Sequence, residues 1–261
     1  MPVPPRSLAP VVTTLRAAGC VFAEDEAHLL ISTARDAAEL DAMIERRVTG
    51  LPLEHVLGWA EFHGLRVAVD SGVFVPRRRS EFLVECAVGL APPDAVVVDL
   101  CCGSGALGAA VVHALGGGEL HAADIEPAAV RCARRNVAAV GGRVHEGDLY
   151  QALPPELVGR IDVLVANAPY VPTGEIGFLP PEARDHEPLV ALDGGDDGLA
   201  IQRRVTAEAA RWLTPGGVLL IETSERQAPR TAAAFAEHGL APRVEVCEEL
   251  DATVVIGTRT A

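Results

Sequence analysis

Basic charge is scarce in this chain: 22 lysines and arginines stand against 36 aspartates and glutamates, a formal charge of −14 at pH 7. A field of that sign repels a phosphate backbone, so tight sequence-independent binding of nucleic acid would need a strong local basic patch. Arg77-Arg78-Arg79 and the group Arg131, Arg134 and Arg135 are the candidates, and each fits a solvated loop or helix face better. A protein or small-molecule substrate is expected instead. No apolar run approaches the length of a membrane span, and Met1 to Pro10 holds no apolar stretch of signal-peptide length, so the cytoplasm is the expected address and no membrane partner is expected. The six cysteines form no CxxC pair, and the adjacent Cys101 and Cys102 are badly placed for a mutual disulfide, so reduced thiols are expected. Metal-site patterns are missing too. Eight histidines lack HxH or HExxH spacing, and Asp193-Gly194-Gly195-Asp196-Asp197-Gly198 fails as a calcium loop because Gly195 and Arg204 stand where oxygen ligands are needed.

What is present suits one well-filled core with an appendage: 261 residues, 49% hydrophobic. Residues 1–57 read as a small helical domain, with stripes at Leu8, Val11, Val12 and Leu15 and at Ala27, Leu30, Ile31 and Ala34, and stops at Gly19 and Gly50. Residues 58–75 read as a β-hairpin linker, where Leu65, Val67 and Val69 alternate with polar neighbours before a Ser71-Gly72 turn. Residues 76–261 alternate strand and helix. Val96-Val97-Val98, Leu120-His121-Ala122-Ala123, Val144-His145, Val163-Leu164-Val165 and Val218-Leu219-Leu220-Ile221 are the central strands of an α/β domain with a mostly parallel sheet covered on both faces. The runs beginning at Arg243 and Thr253 are too close for a crossover helix and are expected to pair antiparallel.

Asp99-Leu100-Cys101-Cys102-Gly103-Ser104-Gly105-Ala106-Leu107-Gly108 follows the first of these strands and satisfies GxGxxG, with Asp124 about 20 residues on, where a carboxylate binds ribose hydroxyls. The pattern fits NAD and S-adenosylmethionine alike. Asp99 separates them: a carboxylate at the mouth of the loop opposes a pyrophosphate but favours the ammonium and sulfonium of S-adenosylmethionine. Asp148, after the third strand, can accept from the adenine amine, with Leu149 packing on the ring; a turn or helix cap is the bland alternative. Asp99, Asp124 and Asp148 end three successive strands, so one nucleoside across their tips can use all three.

Asn167-Ala168-Pro169-Tyr170 follows the fourth strand. If the Asn167 side-chain oxygen and the Ala168 carbonyl each accept one N–H of a planar NH2 group, its weakly nucleophilic nitrogen is held with the lone pair aimed at a methyl donor, and position replaces a strong base. Pro169 stiffens the turn and Tyr170 can stack on the planar group. Glu222, at the end of a later strand, either orients neighbours across the cleft or caps the next helix.

These residues carry a family resemblance. The chain resembles the protein-(glutamine) N5-methyltransferases of the PrmC/HemK type, from about Leu15 to its end, through Gly58-Trp59-Ala60-Glu61-Phe62, Val75-Pro76-Arg77 with Glu81, the loop at 99–105, Asn167-Ala168-Pro169-Tyr170, and Glu187-Pro188-Leu189-Val190-Ala191-Leu192 leading to Gly194-Gly195 and Asp197-Gly198. The resemblance implies a class I S-adenosylmethionine-dependent methyltransferase domain, Rossmann-like and seven-stranded with an antiparallel last strand, behind a helical substrate-recruiting domain. It also implies that the loop from Cys101 to Gly105, Asp124, Leu149 and Asn167 contact the cofactor, that residues 167–170 embrace the substrate glutamine, and that the substrate is a protein, with peptide-chain release factors as the family's own. The family's usual Asn-Pro-Pro-Tyr reads Asn-Ala-Pro-Tyr here, and Ala168 still supplies the carbonyl. Cys101 and Cys102 replace a glycine and a small hydroxyl residue, and the helical domain is shorter than the family's. The alternatives weighed are an exocyclic-amine methyltransferase acting on adenine or guanine in nucleic acid, a dinucleotide-dependent oxidoreductase, and a non-catalytic interaction protein.

Overall fold

A computed structural model describes residues 8–260, so the opening heptapeptide lies outside the described residues, including most of the stretch read for a signal sequence. Four helices come first: α1 (Leu8–Ala17), α2 (Ala23–Thr33), α3 (Ala37–Val48) and α4 (Leu53–Leu57). Their inward stripes, among them Val11, Leu15, Ala27, Leu30, Leu40, Met43 and Val56, close on each other as a separate core. Asp36 starts α3 by accepting the Glu39 N–H at 2.8 Å, which satisfies one of the amides a helix start leaves bare.

A two-stranded antiparallel hairpin follows, β1 (Trp59–Phe62) and β2 (Leu65–Ala68), pairing Trp59 with Ala68 and Phe62 with Leu65. Its turn is His63-Gly64, at φ 47° and 75°, and the expected Ser71-Gly72 turn comes after it. Two-residue hairpin turns of this kind need positive φ at both central positions, which the sequence discloses through Gly64 but conceals in His63. Beyond Ala68 the chain leaves the hairpin, and Ser71-Gly72 lies in a second turn closed by the Val73 N–H on the Asp70 carbonyl at 3.1 Å.

The seven-stranded sheet consists of β3 (Val96–Leu100), β4 (Glu119–Asp124), β5 (Arg143–Glu146), β6 (Ile161–Ala166), β7 (Leu213–Thr223), β8 (Leu240–Cys247) and β9 (Ala252–Arg259), in the order β5-β4-β3-β6-β7-β9-β8. The first five run parallel and β9 pairs antiparallel with both β7 and β8, as expected from the short β8–β9 connection. Alternate residues divide between two cores. Val97, Ala122, Val163, Val165 and Leu220 face α5 (Glu81–Leu90), α6 (Ala106–Leu115) and α7 (Pro127–Ala138), together with Phe62 and Val67 of the hairpin. Val98, Leu100, Leu164, Leu219 and Ile221 face α9 (Ala200–Trp212) and α10 (Ala228–Glu237). A short α8 (Pro181–His186) lies in the long β6–α9 connection. No helix among the described residues is long and apolar enough to cross a membrane.

This order places the site. After β3 the chain winds outward to β4 and β5, then returns to lay β6 on the other side of β3. The loops leaving β3 and β6 at their carboxyl ends therefore diverge and leave a crevice between them, the place where open α/β sheets hold ligands.

Candidate active site

Three adjoining cavities open at this crevice, and Asn167 and Phe74 line all of them. The first, about 280 Å³, is roomy enough for a side chain and is walled by Asn167, Ala168, Pro169 and Tyr170, by Arg77 and Arg79, by Leu179 and Pro180 before α8 and Glu182 and Ala183 on it, and by Pro52 and Glu54 from the helical region. The second is lined by Cys101, Gly103, Asp124, Asp148 and Leu149, with Ile125 and Val190 as apolar walls. The third, small, is lined by Asp99, Cys101, Cys102, Gly103 and Ser104, with Ser80 opposite. Gly105 lines none of them. At φ 74° it starts α6, and a Cβ there would come within 2.8 Å of Val137 on α7, so its role is close helix packing.

Asn167 is held by its neighbour. Its Nδ2 donates to the Oγ of buried Ser80 at 3.2 Å, which turns the amide over and leaves Oδ1 as the acceptor end. Behind the turn lies the glycine-rich run at 193–198. A Cβ at Gly194 would sit 2.7 Å from the Pro169 carbonyl and one at Gly198 2.3 Å from the Tyr170 carbonyl, so glycine is what lets this loop back the turn so closely. Its acids serve the loop itself: Asp193 Oδ1 accepts from Thr173 Oγ1 at 2.7 Å and from the Gly195 N–H at 2.9 Å, and Asp197 pairs with Arg203 and Arg230.

The three aspartates do not share one level. Asp124 is at the tip of β4, where Oδ2 accepts the Gly103 N–H at 2.8 Å and Oδ1 the Glu126 N–H at 2.9 Å. Asp99 pairs with Ala122, two residues below Asp124 in the register, and is 1% exposed. Its carboxylate accepts the Gly108 N–H at 2.9 Å and forms part of the floor of the third cavity, so it does not stand at an open mouth as the sequence suggested. Burial pushes the Asp99 carboxyl up to about 7, with Asp124 adding to the rise and Gly108 opposing it. Burial also raises Asp124. Asp148 lies beyond β5 and pairs with Arg204 of α9 at 2.6 Å, a partner nothing local in the sequence announced. Cys101 and Leu149 take positive φ, 57° and 48°, a conformation that costs a side-chain-bearing residue about 1–3 kcal/mol and recurs at ligand clamps.

Two of the three arginines in the basic run are paired with acids. Arg77 pairs with buried Glu187 at 2.6 Å and Arg79 with buried Glu222 at 3.1 Å, while Arg135 pairs with Asp70. Glu222 thus orients groups across the cleft and does not cap the following helix.

The methyltransferase small domain family model matches residues 64–177. A release factor glutamine methyltransferase of Mycolicibacterium smegmatis is 41% identical over 204 residues, 77% of this chain and 72% of the relative. This chain belongs to the release factor glutamine methyltransferase family. It is an S-adenosylmethionine-dependent methyltransferase, which sets the oxidoreductase reading aside. Relatives at similar distance do not all carry that name: a 4-amino-L-phenylalanine/4-methylamino-L-phenylalanine methyltransferase of Streptomyces pristinaespiralis is 36% identical over 75% of this chain and 69% of its own length. A methyltransferase from Pyrococcus furiosus superposes with a TM-score of 0.58 at 15% identity, over 76% of this chain and 90% of that one, a likeness of fold alone.

Phe74, Ser80 and Arg204 are site residues that the sequence reading passed over, and Arg79 and Glu187 were named there in a basic run and a family block without a role in the site. Phe74 had a signal, since aromatics make up only 4% of the chain and it stands just before Val75-Pro76-Arg77.

Proposed function

We propose that this enzyme methylates the side-chain amide nitrogen of a glutamine in a protein, with a peptide-chain release factor as substrate, in the cytoplasm. The observation that carries the reading is the position of Asn167, shared by a side-chain-sized cavity and the two cavities on the glycine loop, with its Oδ1 end free to accept. S-adenosylmethionine supplies a methyl group made electrophilic by a sulfonium. The donor set suits it: Asp124 for the ribose hydroxyls, Leu149, Ile125 and Val190 around the adenine, Asp148 at its amine edge, and Cys101, Cys102, Gly103 and Ser104 with Asp99 about the methionine ammonium. Gly105 shapes the helix start and lines none of the three cavities.

In the larger cavity, Asn167 Oδ1 and the Ala168 carbonyl accept the two N–H bonds of the acceptor amide. Pro169 fixes the turn, and Tyr170 stacks on the amide plane. As the N–C bond forms and the S–C bond breaks, positive charge grows on nitrogen, and the two acceptors stabilise it without moving. The N-methylated amide is strongly acidic and gives one proton up to solvent water, which leaves a neutral N-methyl amide and S-adenosylhomocysteine.

Incubation with labelled methyl donor, a purified release factor and, separately, 4-aminophenylalanine tests the proposal. A 14-dalton gain on one glutamine is the expected result. Label on the amino acid and none on the protein would move the assignment to an arylamine acceptor. Nucleic acid is disfavoured by the formal charge of −14 and by the pairing of Arg77, Arg79 and Arg135 with acids.

Asp99 makes cofactor binding pH-dependent. Because its carboxyl titrates at about 7, it is neutral below that pH and attracts an ammonium only above it. Affinity for S-adenosylhomocysteine is expected to weaken from pH 8 to pH 6, by up to about tenfold for each unit below 7, and Asp99→Asn to flatten the profile. Stability of the ligand-free enzyme moves the other way: a carboxyl raised above its ordinary 3.8 contributes stability that is present at low pH and lost as pH rises through about 7. Calorimetry across this range checks both, and a wild-type dissociation constant that stays level would remove Asp99 from the ammonium site.

A further inference from the structure

We propose that Arg79 and Glu222 are positioning residues that lock the Tyr170 ring as the aromatic wall of the acceptor cavity; the inference rests on the reading of that cavity given above. Three segments far apart in sequence meet here: the single turn just before α5, the turn after β6, and the end of β7. Arg79 Nη2 donates to the Tyr170 hydroxyl at 2.7 Å, Arg79 Nε donates to Glu222 Oε1 at 3.1 Å, and the Tyr170 hydroxyl donates to the same Oε1 at 3.2 Å. The three bonds close a ring, so the phenol is held from both sides.

Glu222 is 1% exposed, and its second oxygen is buried with no hydrogen-bond partner. A buried carboxylate left half satisfied is a net cost to folding unless the satisfied half does something, and its bonds go to Arg79 and Tyr170. Tyr170 is suited to a fixed hydroxyl and unsuited to proton abstraction. Burial, with the Glu222 charge adding, pushes it up to about 12, so it stays protonated and donates.

The turn has a use for such a lock. Ala168 lacks the ring that would fix its own φ, so the backbone between Asn167 and Pro169 needs restraint from outside. Gln227 Nε2 holds the Tyr170 carbonyl at 2.9 Å, and the hydrogen-bonded ring holds the side chain. Tyr170 and Arg79 line the acceptor cavity and neither lines the two cavities on the glycine loop. Loss of the lock should therefore harm acceptor binding and leave cofactor binding alone.

The test combines kinetics with a spectrum. Arg79→Gln, Glu222→Gln and Tyr170→Phe are each expected to lower kcat/KM for the acceptor about tenfold, and Arg79→Gln combined with Tyr170→Phe to do no more than the worse single change, because groups acting as one unit are not additive. Arg79→Lys should remain impaired, since one ammonium cannot reproduce the fork, and the dissociation constant for S-adenosylhomocysteine should stay within about twofold throughout. The chain has two tyrosines, so 3-fluorotyrosine labelling gives two fluorine resonances. Tyr150, buried and bonded to the Val205 carbonyl, is the internal reference. Arg79→Gln and Glu222→Gln should move the Tyr170 resonance and not the other. Losses that multiply to about a hundredfold in the double variant, full activity of Arg79→Lys, or an unmoved Tyr170 resonance would overturn the proposal. If the wild-type enzyme methylates no glutamine, the functional reading fails, while the fluorine spectrum still decides whether the lock exists.

Discussion

Asn167→Ala is expected to lower turnover at least about a thousandfold while changing the affinity for S-adenosylhomocysteine less than about tenfold. The asymmetry follows from where the side chain stands. It borders the cofactor cavities, but there backbone groups, Asp124 and apolar walls remain when it is cut back. In the acceptor cavity it is the side chain whose oxygen can take an amide N–H at the reacting nitrogen, and the Ala168 carbonyl can supply only the other acceptor. Removing one acceptor lets the amide rotate and leaves the charge growing on nitrogen half compensated, so alignment and electrostatic stabilisation are lost together. Asn167→Asp is the informative companion. It keeps the shape and an acceptor but loses the N–H donated to Ser80, so its carboxylate is no longer held in one orientation. Its activity should fall between that of the wild type and Asn167→Ala. Methyl transfer by Asn167→Ala within about tenfold of wild type would show that the amide is held by other groups.

How much of this was legible in the chain depended on distance along it. Strands β3 and β6 and the second half of β7 are buried on both faces and so read as apolar runs, β4 is a shorter run interrupted by His121, and the β8–β9 pairing followed from the shortness of their connection. The site's own motifs were local as well: a glycine loop after one strand and Asn-x-Pro-Tyr after another. What failed was height and partnership. Asp99, Asp124 and Asp148 look equivalent along the sequence, yet the register sinks Asp99 by two residues, about 7 Å along the strand, and α9 delivers Arg204 to Asp148. Gly105 matches a phosphate-loop pattern but its hydrogen faces Val137. The six-residue glycine-rich run invited a calcium reading because its acids are local and visible, whereas the reason for its glycines, the carbonyls of Pro169 and Tyr170, is more than twenty residues upstream. Arg79, Ser80 and Glu187 act through contacts spanning 87 to 143 residues, and a single chain without its fold does not disclose those partners, even where a motif singles the residue out.

Arg47→Ala is expected to destabilise the enzyme by about 3–5 kcal/mol, the largest stability effect anticipated for a single change here. Arg47 of α3 is 7% exposed and grips two acids at once: Glu26 of α2, through Nε at 2.6 Å and Nη2 at 3.0 Å, and Glu182 of α8, through Nη1 at 2.7 Å. Removing it leaves Glu26, itself 7% exposed, without its counter-charge in an apolar core. The size of the loss measures that stranded carboxylate more than the worth of the ion pair, so Arg47→Met combined with Glu26→Leu should recover most of it. Denaturant unfolding of the two variants decides the point, and equal losses in both would mean that packing of the arginine stem, not charge, is what matters. Because Glu182 also lines the acceptor cavity, the double variant separates folding from function. With stability restored but α8 no longer tied to α3, the KM for the acceptor should rise while S-adenosylhomocysteine binding stays as it was. The helical region, which already supplies Pro52 and Glu54 to the cavity, would then also act on the chemistry through the Arg47 guanidinium, by holding the outer wall at its working distance from Asn167.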